Sequence, residues 1–182
     1  MTRRALLGLL LSALLWPPLL SAFQVEKANA RLEHGQFVID VQIDYQFSDD
    51  VLEALANGVP LTTEVHIQVR RDGAWIWEDD IVDFRVRSQI RYLPVSALYQ
   101  VTDLDTAERR NYVSRDTAIR ALGDLQGLPV VGEDQLEKGE DYELKIKASL
   151  DIEALPLPLR PKAYISSDWN LSTGWTVWRL RH

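Results

Sequence analysis

Three histidines, His34, His66 and His182, are the side chains of this chain best suited to proton transfer near neutral pH. A serine hydrolase site would place one of them beside a nucleophile, and Ser-Ser-Asp at residues 166–168 offers both a hydroxyl and an orienting carboxylate. No Gly-x-Ser-x-Gly turn surrounds these serines, and the spacing brings no histidine towards them. The sequence therefore predicts no catalytic residue of this kind.

Carboxylates gather in three places, at residues 78–83, at Asp103 with Asp105, and across residues 133–143. Calcium takes about six to eight oxygen ligands, but none of these clusters has the spaced calcium-loop pattern with its central glycine and terminal glutamate. We interpret them as solvated turns of an acidic protein and expect no metal or other cofactor. An alternative is that the protein is a hydrolase of an envelope polymer, in which two of these carboxylates act as a catalytic pair.

Three arginines, Arg85, Arg87 and Arg91, lie at even spacings in an alternating segment, so a strand would place them on one face. Such a stripe has two interpretations. Guanidinium groups bind carboxylates and phosphates with good geometry, which would make the stripe a binding site. Alternatively, the arginines pair with acids nearby, such as Asp83 or the acids of residues 140–149.

Tryptophans are the other candidates for recognition. Trp75 and Trp77 fall in one predicted strand, and Trp169, Trp175 and Trp178 crowd the predicted C-terminal hairpin. These rings would either line a groove or interface, or fill the interior of a sandwich. The candidate interaction surface predicted from the sequence combines two sets of side chains. They are Trp169, Trp175 and Trp178 with Arg85, Arg87 and Arg91.

The composition excludes several classes of function. The 182 residues carry a formal net charge of −7 and contain no cysteine. An acidic chain is a poor partner for nucleic-acid phosphates, and it is not expected to adhere strongly to anionic membrane surfaces. The absence of cysteine removes disulfides, thiolate catalysis, cysteine-based zinc sites and N-terminal lipid acylation.

The N-terminus has the order of a secretory signal peptide. Arg3 and Arg4 precede an apolar run at residues 5–15, and a double proline and the small residues Ser21 and Ala22 follow. The run is shorter than the roughly 20 residues that cross a bilayer. We therefore predict a signal peptide at residues 1–22, cleaved near Ala22, and a single periplasmic domain at residues 23–182. An uncleaved membrane anchor is the alternative.

Alternation of apolar and polar residues predicts most of the strands. It is clearest in residues 37–47, with residues 25–32 as the expected hairpin partner. Asp72 and Gly73 form a hairpin signal that leads into residues 75–77. Further alternating segments cover residues 61–71, 82–92, 95–101, 142–150 and 175–180.

Two short helices interrupt this pattern. Ser48 is placed to cap residues 49–57, and Ser114 to cap residues 115–126, with Gly127 at the end of the second helix. About seven to nine strands separated by turn signals predict an all-β, mainly antiparallel, β-sandwich-like domain. Strands with one apolar face are not typical of a buried parallel sheet.

The C-terminal part carries a recognisable series of motifs. A proline-rich run occupies residues 155–161, Ser-x-x-Trp follows from Ser166 to Trp169, and Trp175 and Trp178 close the series. With these motifs the mature chain resembles an uncharacterised family of proteobacterial exported proteins, the domain of unknown function 4390 family. The resemblance implies an exported protein without an assigned activity, so it supplies no catalytic residues. Through gene neighbourhood it also implies a partner role beside the extracytoplasmic domain of an envelope sensor kinase.

These observations favour a non-catalytic binding or accessory module of the bacterial envelope. A small-ligand carrier with a tryptophan-lined groove is the first alternative, and it requires a concave pocket formed by the candidate tryptophans and arginines. The envelope-polymer hydrolase is the second.

Overall fold

Alternating side chains build two antiparallel sheets in the computed structural model, which describes residues 22–75 and 80–180. The smaller sheet has the order β1-β2-β7 and the larger one β6-β5-β4-β3-β8-β9. The strands are β1 Phe23–Glu33, β2 Gln36–Tyr45, β3 Leu61–Arg71, β4 Val82–Leu93, β5 Leu98–Asp103, β6 Arg109–Tyr112, β7 Asp124–Gly132, β8 Tyr142–Leu150 and β9 Thr176–Leu180. The predicted all-β, sandwich-like fold is confirmed.

The hydrophobic core lies between the two sheets. Ile39 and Ile43 of β2, Ile67 of β3, Ile90 of β4 and Ile146 of β8 are each at most 1% exposed. All belong to one continuous cluster, so both sheets contribute their apolar faces to the same interior. Because strand side chains alternate, the polar residues between them lie on the outer sides of the sandwich.

The N-terminal hairpin has the predicted form. His34 and Gly35 connect β1 to β2 with φ angles of 51° and 79°, the positive values that a two-residue hairpin turn requires. Phe23, the first residue of the predicted mature domain, is fully buried. The predicted signal peptide falls almost entirely on residues outside the described ranges, so it stays a prediction.

Helix α1, Asp49–Ala56, begins where it was predicted, and the Ser48 hydroxyl accepts a hydrogen bond from the Val51 N–H at 3.4 Å. Helix α2, Arg115–Leu122, is shorter than predicted, because the chain passes through Gly123 into β7. Leu125, which lies within the residues predicted to be helical, is therefore a strand residue.

A third helix, α3 at Arg160–Ile165, was not predicted. It follows the proline-rich run and contains Pro161 in its first turn, where a proline costs no hydrogen bond. The proline-rich run at residues 155–161 lies outside every strand of the sheets. None of the helices in the described ranges is long and apolar enough to cross a membrane.

Asp72 and Gly73 lie in the connection between β3 and β4, which pair as an antiparallel hairpin. The chain turns there, with the Ala74 N–H donating to the Arg71 carbonyl at 3.1 Å, but Trp75 lies outside any strand and is 71% exposed. Strand β4 pairs with β3 from Val82, which lies opposite Val69, and the Ile81 N–H donates to the Val69 carbonyl at 2.9 Å. Trp77 lies outside the described residues.

Candidate binding surface

The charged residues of the predicted surface lie on the outer side of the six-stranded sheet, the side that faces away from the core. In β3, the buried Val65, Ile67 and Val69 alternate with Glu64, His66, Gln68 and Arg70, which point away from the core. Cross-strand partners share a face, so the register extends this outer side to the neighbouring strands. It pairs His66 with Arg85 of β4 and with Lys147 of β8.

Arg85, Arg87 and Arg91 all lie on this outer side and are exposed. The Arg85 Nε lies 3.0 Å from a Glu64 carboxylate oxygen, so one arginine of the stripe has an acidic partner on the adjacent strand. Arg87 and Arg91 form no ion pair with any residue in the described ranges. The acid that was predicted as a partner, Asp83, is engaged elsewhere.

Asp83 receives hydrogen bonds from two neighbours on β3. The Gln68 amide lies 2.8 Å from one of its oxygens, and the His66 Nε2 lies 2.7 Å from the other. These contacts lower the pKa of Asp83, first through the hydrogen bond from Gln68 and further through His66. The charge of Arg85 contributes to the lowered pKa of Asp83, although the two side chains form no ion pair.

Trp175 completes the surface at the end of the sheet, directly before β9. Its ring is 42% exposed and lies 4.9 Å from the His66 ring, measured between centroids. The Lys145 ammonium lies 5.4 Å from the centroid of the same ring, within cation–π distance. Val177, the neighbouring outward residue of β9, is 49% exposed.

Basic side chains outnumber acidic ones on this outer side, although the whole chain is acidic. We call its cationic residues and Trp175 the basic face. The cations are Arg70, Arg85, Arg87, Arg91, Arg109, Lys145, Lys147 and Arg179. The outward acids of the same strands are Glu64, Asp83 and Glu143, of which the first two are already engaged.

Five cations of the basic face were not part of the surface predicted from the sequence. Lys145 and Lys147 alternate with the buried Leu144, Ile146 and Ala148 of β8. The others are Arg70 of β3, Arg109 of β6 and Arg179 of β9. The spacing of the two lysines showed that β8 has one polar face, but only the register of β8 beside β3 places that face next to the arginines.

Two of the predicted surface tryptophans belong to the interior instead. Trp178 pairs with Leu144, so it faces the core, whereas Trp175 lies three positions earlier on the opposite side of the chain. In a strand, an odd spacing puts two residues on opposite faces. This parity was visible in the sequence and would have separated the two rings.

Trp169 is only 2% exposed and cannot belong to a free surface. It lies in a single 3₁₀ turn, Ser167–Trp169, that contacts α1. The Ser48 hydroxyl donates to the Asp168 carbonyl at 2.7 Å, and the Lys162 ammonium lies 2.6 Å from Asp50. The Ser-x-x-Trp motif therefore anchors the C-terminal segment beneath α1, which is a structural role.

The serine of that motif has a local partner as well. The Ser166 hydroxyl donates to the Asp168 carboxylate at 3.2 Å and accepts from the Asp168 N–H at 3.3 Å. Neither His34 nor His66 is hydrogen-bonded to a serine of the motif, and His182 lies outside the described ranges. Within residues 22–75 and 80–180, no cluster of histidine, aspartate and glutamate suits a metal ion.

A cleft of about 290 Å³ opens between β4 to β6 and the α2–β7 connection. Its lining combines apolar residues, such as Val101, Leu122 and Leu128, with polar ones. Among the polar residues, Gln126 donates to Asp124, and Arg110 forms an ion pair with Glu108. None of the six predicted surface residues lines this cleft.

Comparison with known proteins identifies the family that the C-terminal motifs indicated. Neither the curated proteins nor the solved structures include a significant match to this chain. The family described as Domain of unknown function (DUF4390) matches residues 21–179, which includes the strands of both sheets, the Ser-x-x-Trp motif and most of β9. The chain belongs to the DUF4390 family.

Proposed function

We propose that this protein is a non-catalytic binding module of the bacterial envelope and that its basic face binds an acidic surface of a partner protein. The observation that carries the proposal is the segregation of charge. Cations concentrate on the outer side of one sheet in a chain whose formal net charge is −7. The remaining surface must therefore carry the excess of acids.

The unpaired cations support binding rather than internal stabilisation. Arg87, Arg91, Arg109, Lys147 and Arg179 form no ion pair within residues 22–75 and 80–180. Charges that are left without partners on a folded surface add little to stability, but they are available to an acidic partner. A cationic patch also raises the association rate with such a partner, and added salt weakens this effect.

The shape of the face favours a protein as partner. Neighbouring strands of a sheet lie about 4.8 Å apart, and outward residues of one strand repeat about every 6.8 Å. The cations therefore form an open grid across several strands instead of converging on one small anion. An exposed ring, Trp175, beside this grid supplies the kind of aromatic anchor that protein interfaces use.

The predicted signal peptide would bring this surface to the periplasm. There, the family resemblance makes the extracytoplasmic domain of a sensor kinase the partner to test first. The proposal does not depend on that identity, since any acidic envelope protein of complementary shape would satisfy the basic face.

Site-specific photo-crosslinking in intact cells tests the proposal with the full chain. One crosslinker replaces Ser149, an outward residue of β8 beside the basic face, and a control crosslinker replaces Asn29, an exposed residue of the small sheet. We expect a discrete adduct with an acidic envelope protein from position 149 and none from position 29.

Charge reversal separates specific binding from chance encounter. The double variant Arg87→Glu and Lys147→Glu should abolish the adduct, whereas Lys27→Glu, on the small sheet, should leave it unchanged. Adducts that appear equally from both positions, or that survive reversal of the basic face, would show that this face is not the binding surface.

A further inference from the structure

The two sheets together have four edge strands, β1, β7, β6 and β9. The first three carry features that discourage pairing with another chain. Strand β1 has an irregularity between Val25 and Lys27 and charged residues along its length. Strand β7 contains Pro129 and two register shifts against β2. Strand β6 has only four residues, Arg-Arg-Asn-Tyr.

Strand β9 has five residues in a regular register, and Arg179 is its one charged side chain. Its sequence, Thr-Val-Trp-Arg-Leu, is rich in β-branched and aromatic residues and contains no proline, glycine or lysine. It pairs with β8 along one side in a continuous register, and no strand in the described ranges pairs with its other side. An edge strand that lacks a second pairing partner is a template for an additional strand.

The same edge borders the basic face. Trp175, Val177 and Arg179 point outward along it, and Lys145 lies opposite Val177 on β8. Val177 and Trp175 leave apolar surface exposed at the edge, and Arg179 and Lys145 add positive charge within the same few residues. The edge thus offers backbone pairing, apolar contact and positive charge together.

We propose that an extended, acidic segment of the partner adds to β9 as a further strand of the six-stranded sheet. This inference rests on the proposed function for the acidity of the partner and adds the way in which that partner binds. Backbone hydrogen bonds to β9 provide affinity, and the side chains at alternate positions provide selectivity. Acidic side chains on the outward positions of the added strand lie beside Arg179 and within reach of Lys145.

A designed peptide can test this without knowledge of the partner. The probe is Glu-Val-Glu-Thr-Glu-Val-Glu-Thr-Glu, whose glutamates share one face when it is extended. A second peptide replaces each glutamate by lysine, and a third keeps the glutamates but carries N-methyl groups at alternate residues on the pairing side. The last peptide keeps the charge and loses the backbone donors.

We expect the glutamate peptide to bind the full-length protein and to slow hydrogen exchange at amides of β9. The lysine peptide and the N-methylated peptide should each bind roughly tenfold or more weakly, since the loss of two or three backbone hydrogen bonds, or of charge complementarity, costs at least that factor.

Two proline variants locate the site. Successive N–H groups of a strand alternate sides, so either Thr176→Pro or Val177→Pro removes a donor that faces away from β8. The variant that keeps the wild-type circular dichroism spectrum and melting temperature should lose peptide binding.

Three results would contradict the proposal that an acidic segment adds to β9 as a strand. Equal binding of the N-methylated and parent peptides would mean that side chains alone hold the ligand, which leaves the basic face as the binding surface. Equal binding of the lysine peptide would remove the charge preference of the edge. Protection of β9 amides that is present without peptide and disappears on dilution would show that a second copy of this chain covers the edge.

Discussion

The carbonyl oxygen of Ile43 lies 2.0 Å from the point where a Cβ atom on residue 123 would be, and Gly123 is the residue that makes this approach possible. The Ile43 N–H also donates to the Gly123 carbonyl at 2.9 Å. These contacts bring the end of α2 against β2 and direct the following residues into β7. They explain why the helical pattern of residues 115–126 does not continue past Leu122.

Gly123→Ala should lower the free energy of unfolding by about 1–3 kcal/mol or more, because a methyl group would overlap a backbone atom that has no room to move. The φ angle at this position is −88°, so backbone strain is not the cause. Chemical denaturation measures the effect. Gly132→Ala is the matched control and should cost less than about 1 kcal/mol, since its new Cβ would meet only movable side chains, those of Asp134 and Gln135. Equal costs for the two variants would contradict the close approach.

Trp169→Ala should destabilise the protein by about 3–5 kcal/mol, as expected when a large buried ring is removed. Trp175→Ala should change stability by less than about 1 kcal/mol, because its ring is 42% exposed. Thermal or chemical unfolding of the two variants compares them directly. A large loss for Trp175→Ala with a small one for Trp169→Ala would reverse the assignment of core and surface.

The Lys162 ammonium, 2.6 Å from the Asp50 carboxylate, should contribute to stability in a pH-dependent way. Its hydrogen bond and its charge lower the pKa of Asp50. A carboxyl with a lowered folded-state pKa stabilises the fold above its ordinary pKa, and that contribution is lost as the pH falls through the folded-state value. The stability difference between the wild type and Lys162→Met should therefore shrink on acidification.

NMR of the carboxyl carbons measures the pKa of Asp50 directly. We expect Lys162→Met to raise this pKa towards its ordinary value. Lys138→Met, which removes an exposed lysine without an ion pair in the described ranges, is the control and should leave that pKa unchanged. An Asp50 titration that is insensitive to Lys162→Met would show that the two groups do not pair in solution.

Tyr142→Phe should cost about 1–2 kcal/mol of stability, because the Tyr142 hydroxyl accepts a hydrogen bond from the Glu137 N–H at 2.7 Å in a partly buried site. The same substitution should speed hydrogen exchange at the Glu137 amide. Tyr164→Phe, at a tyrosine that is 58% exposed, should affect neither quantity. An unchanged exchange rate at residue 137 would contradict the hydrogen bond.

Local patterning was sufficient to predict much of the fold. A period of two in residues 61–71 and 142–150 indicated strands with one buried face, and both strands have those bounds. The hairpin at His34 and Gly35 and the Ser48-capped helix were predicted for the same reason, since the side chains that define them are neighbours in the sequence. Strand β7 was not predicted, because the contact that ends α2 joins Gly123 to Ile43, which is far away along the chain.

The sequence by itself determined the class of fold, the absence of cysteine chemistry, the acidic balance and the even spacing of Arg85, Arg87 and Arg91, all of which depend on composition or local period. The tertiary structure decided which strands lie side by side. That arrangement joins the arginines to Lys145, Lys147 and Trp175, removes Trp169 and Trp178 to the interior, and leaves β9 at an open edge. The order of strands in a sheet is set by the packing of one apolar face against another, and the residues that meet there are distant in the chain.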